Sequence, residues 1–197
     1  MYLTKQMDKK KKREWIEWIV LTVVICSIYL GGWQTQIVGK LQQALLLTGV
    51  IVPNKLEEAK KASYDFTIKD ERGKVILFES FKGEVVFINF WASWCPPCIA
   101  EMPDINKLYQ ITADSIAYVM VSLDEEPQKA LKYVEKEGFS FPIYFLISNL
   151  PDTYNIRSIP TTYVLSSDGF IVAENHGMAK YNSKSFRAFL SGLLKSQ

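Results

Sequence analysis

Histidine is almost missing from this chain of 197 residues, His176 being the only one. That count excludes a catalytic triad built on histidine and any two-histidine metal site. Cysteine is scarce as well, with only Cys26, Cys95 and Cys98 present. Three cysteines are too few for a disulfide scaffold, and a structural zinc site would need a second pair of ligands. Ile99 stands where a C-x-x-C-H haem-attachment motif requires histidine, which argues against attached c-type haem. Charge is also nearly balanced, at a net +2, so nothing points to nucleic acid or to an acidic substrate. There is no internal repeat, and the one biased tract is Lys9-Lys10-Lys11-Lys12-Arg13.

That basic run is followed directly by an apolar stretch, which favours a topology signal over a nucleic-acid arm. Residues 15–33 read W-I-E-W-I-V-L-T-V-V-I-C-S-I-Y-L-G-G-W, with one charge, Glu17, near the start and aromatics at both ends. About 20 apolar residues cross a bilayer, and Trp and Tyr favour its interfaces. The pattern predicts a single transmembrane helix over 15–33 in contact with lipid. Residues 1–14 then form a basic cytoplasmic tail, and the rest of the chain lies outside the cell membrane. A cleaved signal peptide fits less well, because small residues are not spaced for cleavage and Ile25 precedes Cys26. Cys26 is expected as a small apolar filler at membrane depth.

Residues 34–63 form a juxtamembrane segment and linker. Within it, 40–52 is an apolar patch too short to span a bilayer, expected as a helix lying on the membrane or packing on the domain. Residues 54–63 are charged and expected to be a partly helical linker. The globular domain runs over 64–197. Residues 64–69 and 75–78 alternate around the turn Asp70-Glu71-Arg72-Gly73, predicting a hairpin. The continuous apolar run 85–90 predicts a central strand buried on both faces. Helices are predicted over 96–111, over 127–136 with Pro127 at the start, and over 183–194 with Ser183 or Asn182 as cap. Strands are predicted over 116–122, just after Pro142, and on either side of Ser166-Ser167-Asp168-Gly169. The order describes an α/β domain with a mixed sheet flanked by helices.

Chemistry concentrates in Phe90-Trp91-Ala92-Ser93-Trp94-Cys95-Pro96-Pro97-Cys98. Two cysteines flanking two residues, at the end of a strand and the start of a helix, form a reversible dithiol/disulfide pair. Free N–H groups and the helix dipole favour an anion at Cys95, and the thiolate is the attacking form. Cys95 is therefore the candidate nucleophile and Cys98, one turn inside, the resolving thiol. Pro96 and Pro97 suit the first helical turn, where a missing N–H is no loss. They also leave fewer donors near the sulfur, so two effects oppose each other in setting the potential. Trp94 is expected as an exposed lip, Trp91 as core and Pro103 as a kink, and His176 is given no role.

W-A-S-W-C-P-P-C, Pro103 and the downstream Ile156-Arg157-Ser158-Ile159-Pro160-Thr161 together resemble the thioredoxin superfamily over residues 64–194. With the anchor, the extra N-terminal β-hairpin and C-P-P-C-x-x-E, the chain is similar to its TlpA/ResA-like extracytoplasmic branch. The resemblance implies a thioredoxin fold and a cis peptide at Ile159-Pro160 facing the cysteines. It also implies substrate contact through Ile159, Pro160, Trp94 and Pro96. Cytosolic thioredoxins carry a buried aspartate where Asn89 stands, and asparagine cannot titrate. Glu101, at i+3 from Cys98, is the nearest acid on that helix face and becomes the candidate proton acceptor.

The reading is a membrane-anchored thiol–disulfide oxidoreductase working on cysteine-containing extracytoplasmic proteins. It needs no cofactor beyond the Cys95–Cys98 disulfide. By resemblance it acts as a reductant fed by a thiol-reducing donor in the membrane, with cytochrome c maturation as an example. Two other readings stand beside it. A peroxiredoxin-like peroxidase would have Thr or Ser three residues before its cysteine, where this chain has Ala92. A non-catalytic anchored binding module has no need of the intact cysteine pair.

Overall fold

The computed structural model describes residue 11 and residues 14–23, 26–27, 34–47, 53 and 55–195. The chain divides into two units, Met1–Ile37 and Val38–Gln197. In the first, residues 14–23 are helical and rise about 15 Å, roughly half a hydrocarbon core. Among the described residues no helix is long and apolar enough to cross a membrane. The span expected over 15–33 includes residues 24, 25 and 28–33, which lie outside the described residues, as does most of the tail expected over 1–14. Trp15, Trp18 and Val23 are 71%, 68% and 61% exposed, and Cys26 is exposed too.

The second unit is built on one sheet. Its described strands are β1 (Lys55–Lys61), β2 (Thr67–Asp70), β3 (Val75–Leu77), β4 (Val86–Trp91), β5 (Ala117–Ser122), β6 (Ile143–Leu146), β7 (Thr161–Leu165) and β8 (Phe170–His176). They lie in the order β1-β8-β7-β4-β5-β6-β2-β3. β4 pairs in parallel with β5 and β5 with β6, while β7 runs antiparallel to β4. Its described helices are α1 (Gln34–Leu47), which begins in the first unit, α2 (Pro96–Thr112), α3 (Pro127–Glu137) and α4 (Lys184–Lys195).

Local chemistry accounts for most boundaries. All six residues of β4 are buried, as a run of aromatic and β-branched side chains between two neighbouring strands should be. α3 starts on Pro127 and stops at Gly138, whose φ of +68° is the left-handed conformation of a helix C-cap. Ser183 Oγ accepts the Phe186 N–H at 3.2 Å and caps α4. The predicted hairpin is β2–β3, and through β2 it joins β6 at the far end of the sheet.

Residues 55–61 depart from expectation. Lys-Leu-Glu-Glu-Ala-Lys-Lys is made of good helix formers, yet it is strand β1, not a partly helical linker. It pairs antiparallel with β8, so backbone partners on an open sheet edge override a weak local preference. The lysines then decorate the outer strand, where charge discourages further pairing. α1 packs on the domain: Leu46 is 3% exposed, and a Cβ on Gly39 would come within 3.1 Å of Ile99 Cγ2 and 3.2 Å of the Pro96 carbonyl.

β4 separates two cores. Phe87 and Trp91 join Met102, Ile105 and Leu108 of α2, Ala130 and Val134 of α3, and Phe186 and Leu190 of α4. Val86, Ile88 and Phe90 join Phe66, Phe78, Tyr154 and Tyr163 on the opposite face. Each fully buried side chain of this size is worth about 1.5–3 kcal/mol of transfer free energy.

Candidate active site

The loop from β4 to α2 carries the cysteines, and its shape follows from a few contacts. Asp124, just past β5, accepts the Ser93 N–H at 2.9 Å and the Ser93 hydroxyl at 2.6 Å. It also accepts the Ser122 hydroxyl at 2.9 Å. Asp124 is 7% exposed, so these bonds are shielded and hold the loop to the end of the neighbouring strand. Sequence reasoning missed this residue; its one signal is a carboxylate directly after a buried strand.

Cys95 is the N-cap of α2, with Pro96 and Pro97 at the first helical positions. It is joined to Cys98 by a disulfide with the two Cα atoms 5.3 Å apart. The Cys98 N–H points at Cys95 Sγ at 3.3 Å, a contact that would favour a thiolate there once the disulfide is opened. Trp94 is 59% exposed beside Cys95 at 3% and Cys98 at 0%. Trp91, as expected, is core.

Residues far along the chain complete the surface. Ile159-Pro160 is a cis peptide, and the Ile159 carbonyl oxygen lies 3.7 Å from Cys95 Sγ. Pro160 is buried and Ile159 half-buried. Thr161, next in sequence, bonds His176 Nδ1 at 3.1 Å, so the lone histidine supports this loop. The structure thus brings Trp94, Cys95, Pro96, Cys98, Ile159 and Pro160 to one place. A cleft of about 690 Å³ lies elsewhere, lined by Tyr64, Phe66, Lys82 and Asp168 among others, and holds none of these residues.

Beneath the cysteines sits the carboxylate. Glu101 is fully buried on α2. Its Oε1 accepts Asn89 Nδ2 at 2.8 Å, and its Oε2 accepts the Ala179 N–H at 3.1 Å. Burial raises its pKa to about 8; the two hydrogen bonds pull the other way, and Asp104 adds a smaller upward push. The helix supplies Glu101, strand β4 supplies Asn89, and β7 with the segment after β8 supplies Thr162, Ala179 and Tyr181. No local sequence signal links these groups; Glu101 and Ala179, which are bonded, stand 78 residues apart. Among the described residues no group of three or more His, Cys, Asp or Glu could hold a metal ion.

Known proteins resemble this chain over most of its length. The pattern of the AhpC/TSA family matches residues 59–174. The chain belongs to the AhpC/TSA family. It is 31% identical to the thiol-disulfide oxidoreductase ResA of Halalkalibacterium halodurans over 87% of this chain and 90% of that protein. It is 28% identical to ResA of Bacillus subtilis over 83% of this chain and 85% of the relative. Among solved structures it is similar to a protein from Chlorobium tepidum assigned as thiol:disulfide interchange protein DsbE. That likeness has a TM-score of 0.60 and 25% identity, and covers 71% of this chain and 99% of the other. This AhpC/TSA-family chain has the thioredoxin-like α/β fold and is a thiol–disulfide oxidoreductase with the cysteine pair Cys95–Cys98. Cysteine-containing proteins are the substrates that such an activity implies.

Proposed function

We propose that the chain is anchored in the cell membrane and reduces disulfides of extracytoplasmic proteins. The arrangement that carries the reading is Glu101, buried one helical turn from Cys98 and held near pKa 8, under a disulfide faced by the Ile159 carbonyl. Cys95 thiolate attacks a sulfur of the client disulfide; that S–S bond breaks, and a mixed disulfide with one client thiolate results. Cys98 must then lose its proton, and Glu101 takes it. Cys98 thiolate attacks Cys95 Sγ, the mixed disulfide breaks, the second client thiolate leaves, and Cys95–Cys98 is oxidised. Trp94, Pro96, Ile159 and Pro160 form the surface the client touches, Ile159 through its main chain.

The anchor over residues 15–33 is supported by large apolar side chains exposed around the helix at 14–23, which water disfavours and lipid accepts. With the basic run before it, the cysteines face outward, and electrons must reach them from a thiol-reducing donor in the membrane. A cysteine protein awaiting haem, as in cytochrome c maturation, is a client suited to this chemistry.

The test uses the full chain in nanodiscs. Equilibration with glutathione should place the Cys95–Cys98 couple nearer about −270 mV than −120 mV. A Cys98→Ser variant should accumulate a mixed disulfide through Cys95 and turn over no client. Reduction of hydrogen peroxide faster than by an ordinary dithiol would sink this reading in favour of a peroxidase.

A further inference from the structure

Glu101 does not end the buried polar chain. Asn89 Nδ2 donates both to Glu101 Oε1 at 2.8 Å and to Thr162 Oγ1 at 2.9 Å. Tyr181 donates its hydroxyl to the same Thr162 Oγ1 at 2.6 Å, and Asn175 Nδ2 reaches the Tyr181 oxygen at 3.5 Å. Asn89, Thr162 and Tyr181 are 0%, 2% and 0% exposed, so bulk solvent does not reach them.

Two gaps remain in this chain. Asn89 Oδ1 has no partner. Thr162 Oγ1 receives two donors and gives its own proton to nothing among the described residues. Tyr181 cannot relieve the second gap by ionising, because burial and the nearby Glu101 push its pKa well above the usual tyrosine value. It remains a permanent donor, and Thr162 must look elsewhere for an acceptor.

Turning the Asn89 amide over gives the Thr162 proton an acceptor and, with Glu101 protonated, gives the carboxyl proton one as well. Oδ1 would then occupy the position Nδ2 now holds, between Glu101 Oε1 and Thr162 Oγ1. The carboxylic acid would donate to it from one side and Thr162 from the other. Tyr181 would still donate to Thr162, and Ala179 N–H to Glu101 Oε2. The end of the amide facing away from Glu101 has no partner in either orientation, an unpaired oxygen now and an unpaired NH2 after the turn, so the reversal is favoured only while the carboxyl proton needs an acceptor. With Glu101 ionised, the turned-over amide would set oxygen against carboxylate, and the present orientation is required.

We propose that the Asn89 amide reverses its orientation as Glu101 gains or loses a proton, with Thr162, held by Tyr181, as the positioning residue that serves both orientations. The inference deepens the proton-acceptor reading of Glu101 and rests on it for its place in the reaction. Other ionisable groups facing Glu101 are Asp104 and the Cys98 thiol on its own helix, and Tyr181 across from it. Nothing else charged acts on it from β4 or β7. An asparagine that turns over lets one strand position support both ends of the proton transfer, where a fixed donor would favour only the ionised carboxylate.

The test reads where the Asn89 amide protons lie as Glu101 titrates. The Glu101 carboxyl, followed by carbon-detected NMR of the reduced full chain in micelles, supplies the midpoint. In the wild type, the Asn89 amide protons should lie near Thr162 above that midpoint and leave it below. Asn89 amide protons that stay near Thr162 throughout would overturn the proposal. An exchange rate that ignores the Glu101 midpoint, with these NMR changes present, would instead sink the proton-acceptor role and leave the amide reversal standing.

Discussion

On one side of β4, Val86, Ile88 and Phe90 enter a core of Phe66, Phe78, Tyr154 and Tyr163 with no buried carboxylate. On the other, Phe87 and Trp91 flank Asn89, which bonds a fully buried glutamate beneath a disulfide. The two faces belong to the same six residues and are equally dry. They differ in that the first has apolar packing and the hydroxyls of Tyr154 and Tyr163 to satisfy, whereas the second carries a carboxyl whose ionised form costs several kcal/mol unless paired or hydrogen-bonded. A core built for stability alone would place a hydrophobic residue at position 101. The buried Glu101 is the feature of that face on which the proposed proton-acceptor role rests.

This contrast can be tested by cutting each face separately. Phe78→Ala on the apolar face should cost about 3–5 kcal/mol of stability, measured by denaturant unfolding. Because Phe78 is remote from the cysteine pair, the redox potential should stay that of the wild type in whatever fraction remains folded. A shifted potential would mean the two faces are not independent.

Glu101→Gln should act the other way. The Glu101 pKa lies near 8 in the fold against 4.5 unfolded, so between these values the folded chain binds more protons than the unfolded one. Stability therefore falls as pH rises from about 4.5 to 8, by an amount on the order of a few kcal/mol. In Glu101→Gln that decline should vanish, and the exchange rate should lose its inflection near pH 8. A variant whose pH–stability curve overlays the wild type would remove the basis for treating this face as special.

The smallest effect is expected from Asp124→Asn, which keeps the shape but weakens the charge-assisted bonds to Ser93. A loss of about 1–2 kcal/mol is expected in unfolding experiments, with slower client reduction because the cysteine loop is less firmly held. Unchanged kinetics would confine Asp124 to stability and move it off the active face.

Much of this arrangement is legible in the chain itself. Alternation, Pro and Gly punctuation and the β4 run are local signals, and they gave the hairpin, the central strands and the helix starts at Pro96 and Pro127 to within a few residues. Cys95, Cys98 and Glu101 are close in sequence, so helical spacing alone puts them on neighbouring turns. The motif around Ile159-Pro160 was readable only through its resemblance to a family, since nothing local says which residues a loop will face. β1 was misread because its residues favour helix, and the pairing edge of β8 that captured it lies over a hundred residues away.

What the sequence by itself determined is the redox pair, its position at a helix start and the exclusion of a histidine-based triad or a two-histidine metal site, since these depend on residue type and short spacing. What only the tertiary structure decided is the company those residues keep. Asn89, Thr162, Ala179 and Tyr181 converge on Glu101 from separate elements, and Asp124 reaches back to Ser93. Burial and hydrogen bonding, which set how a carboxyl holds its proton, are properties of that convergence.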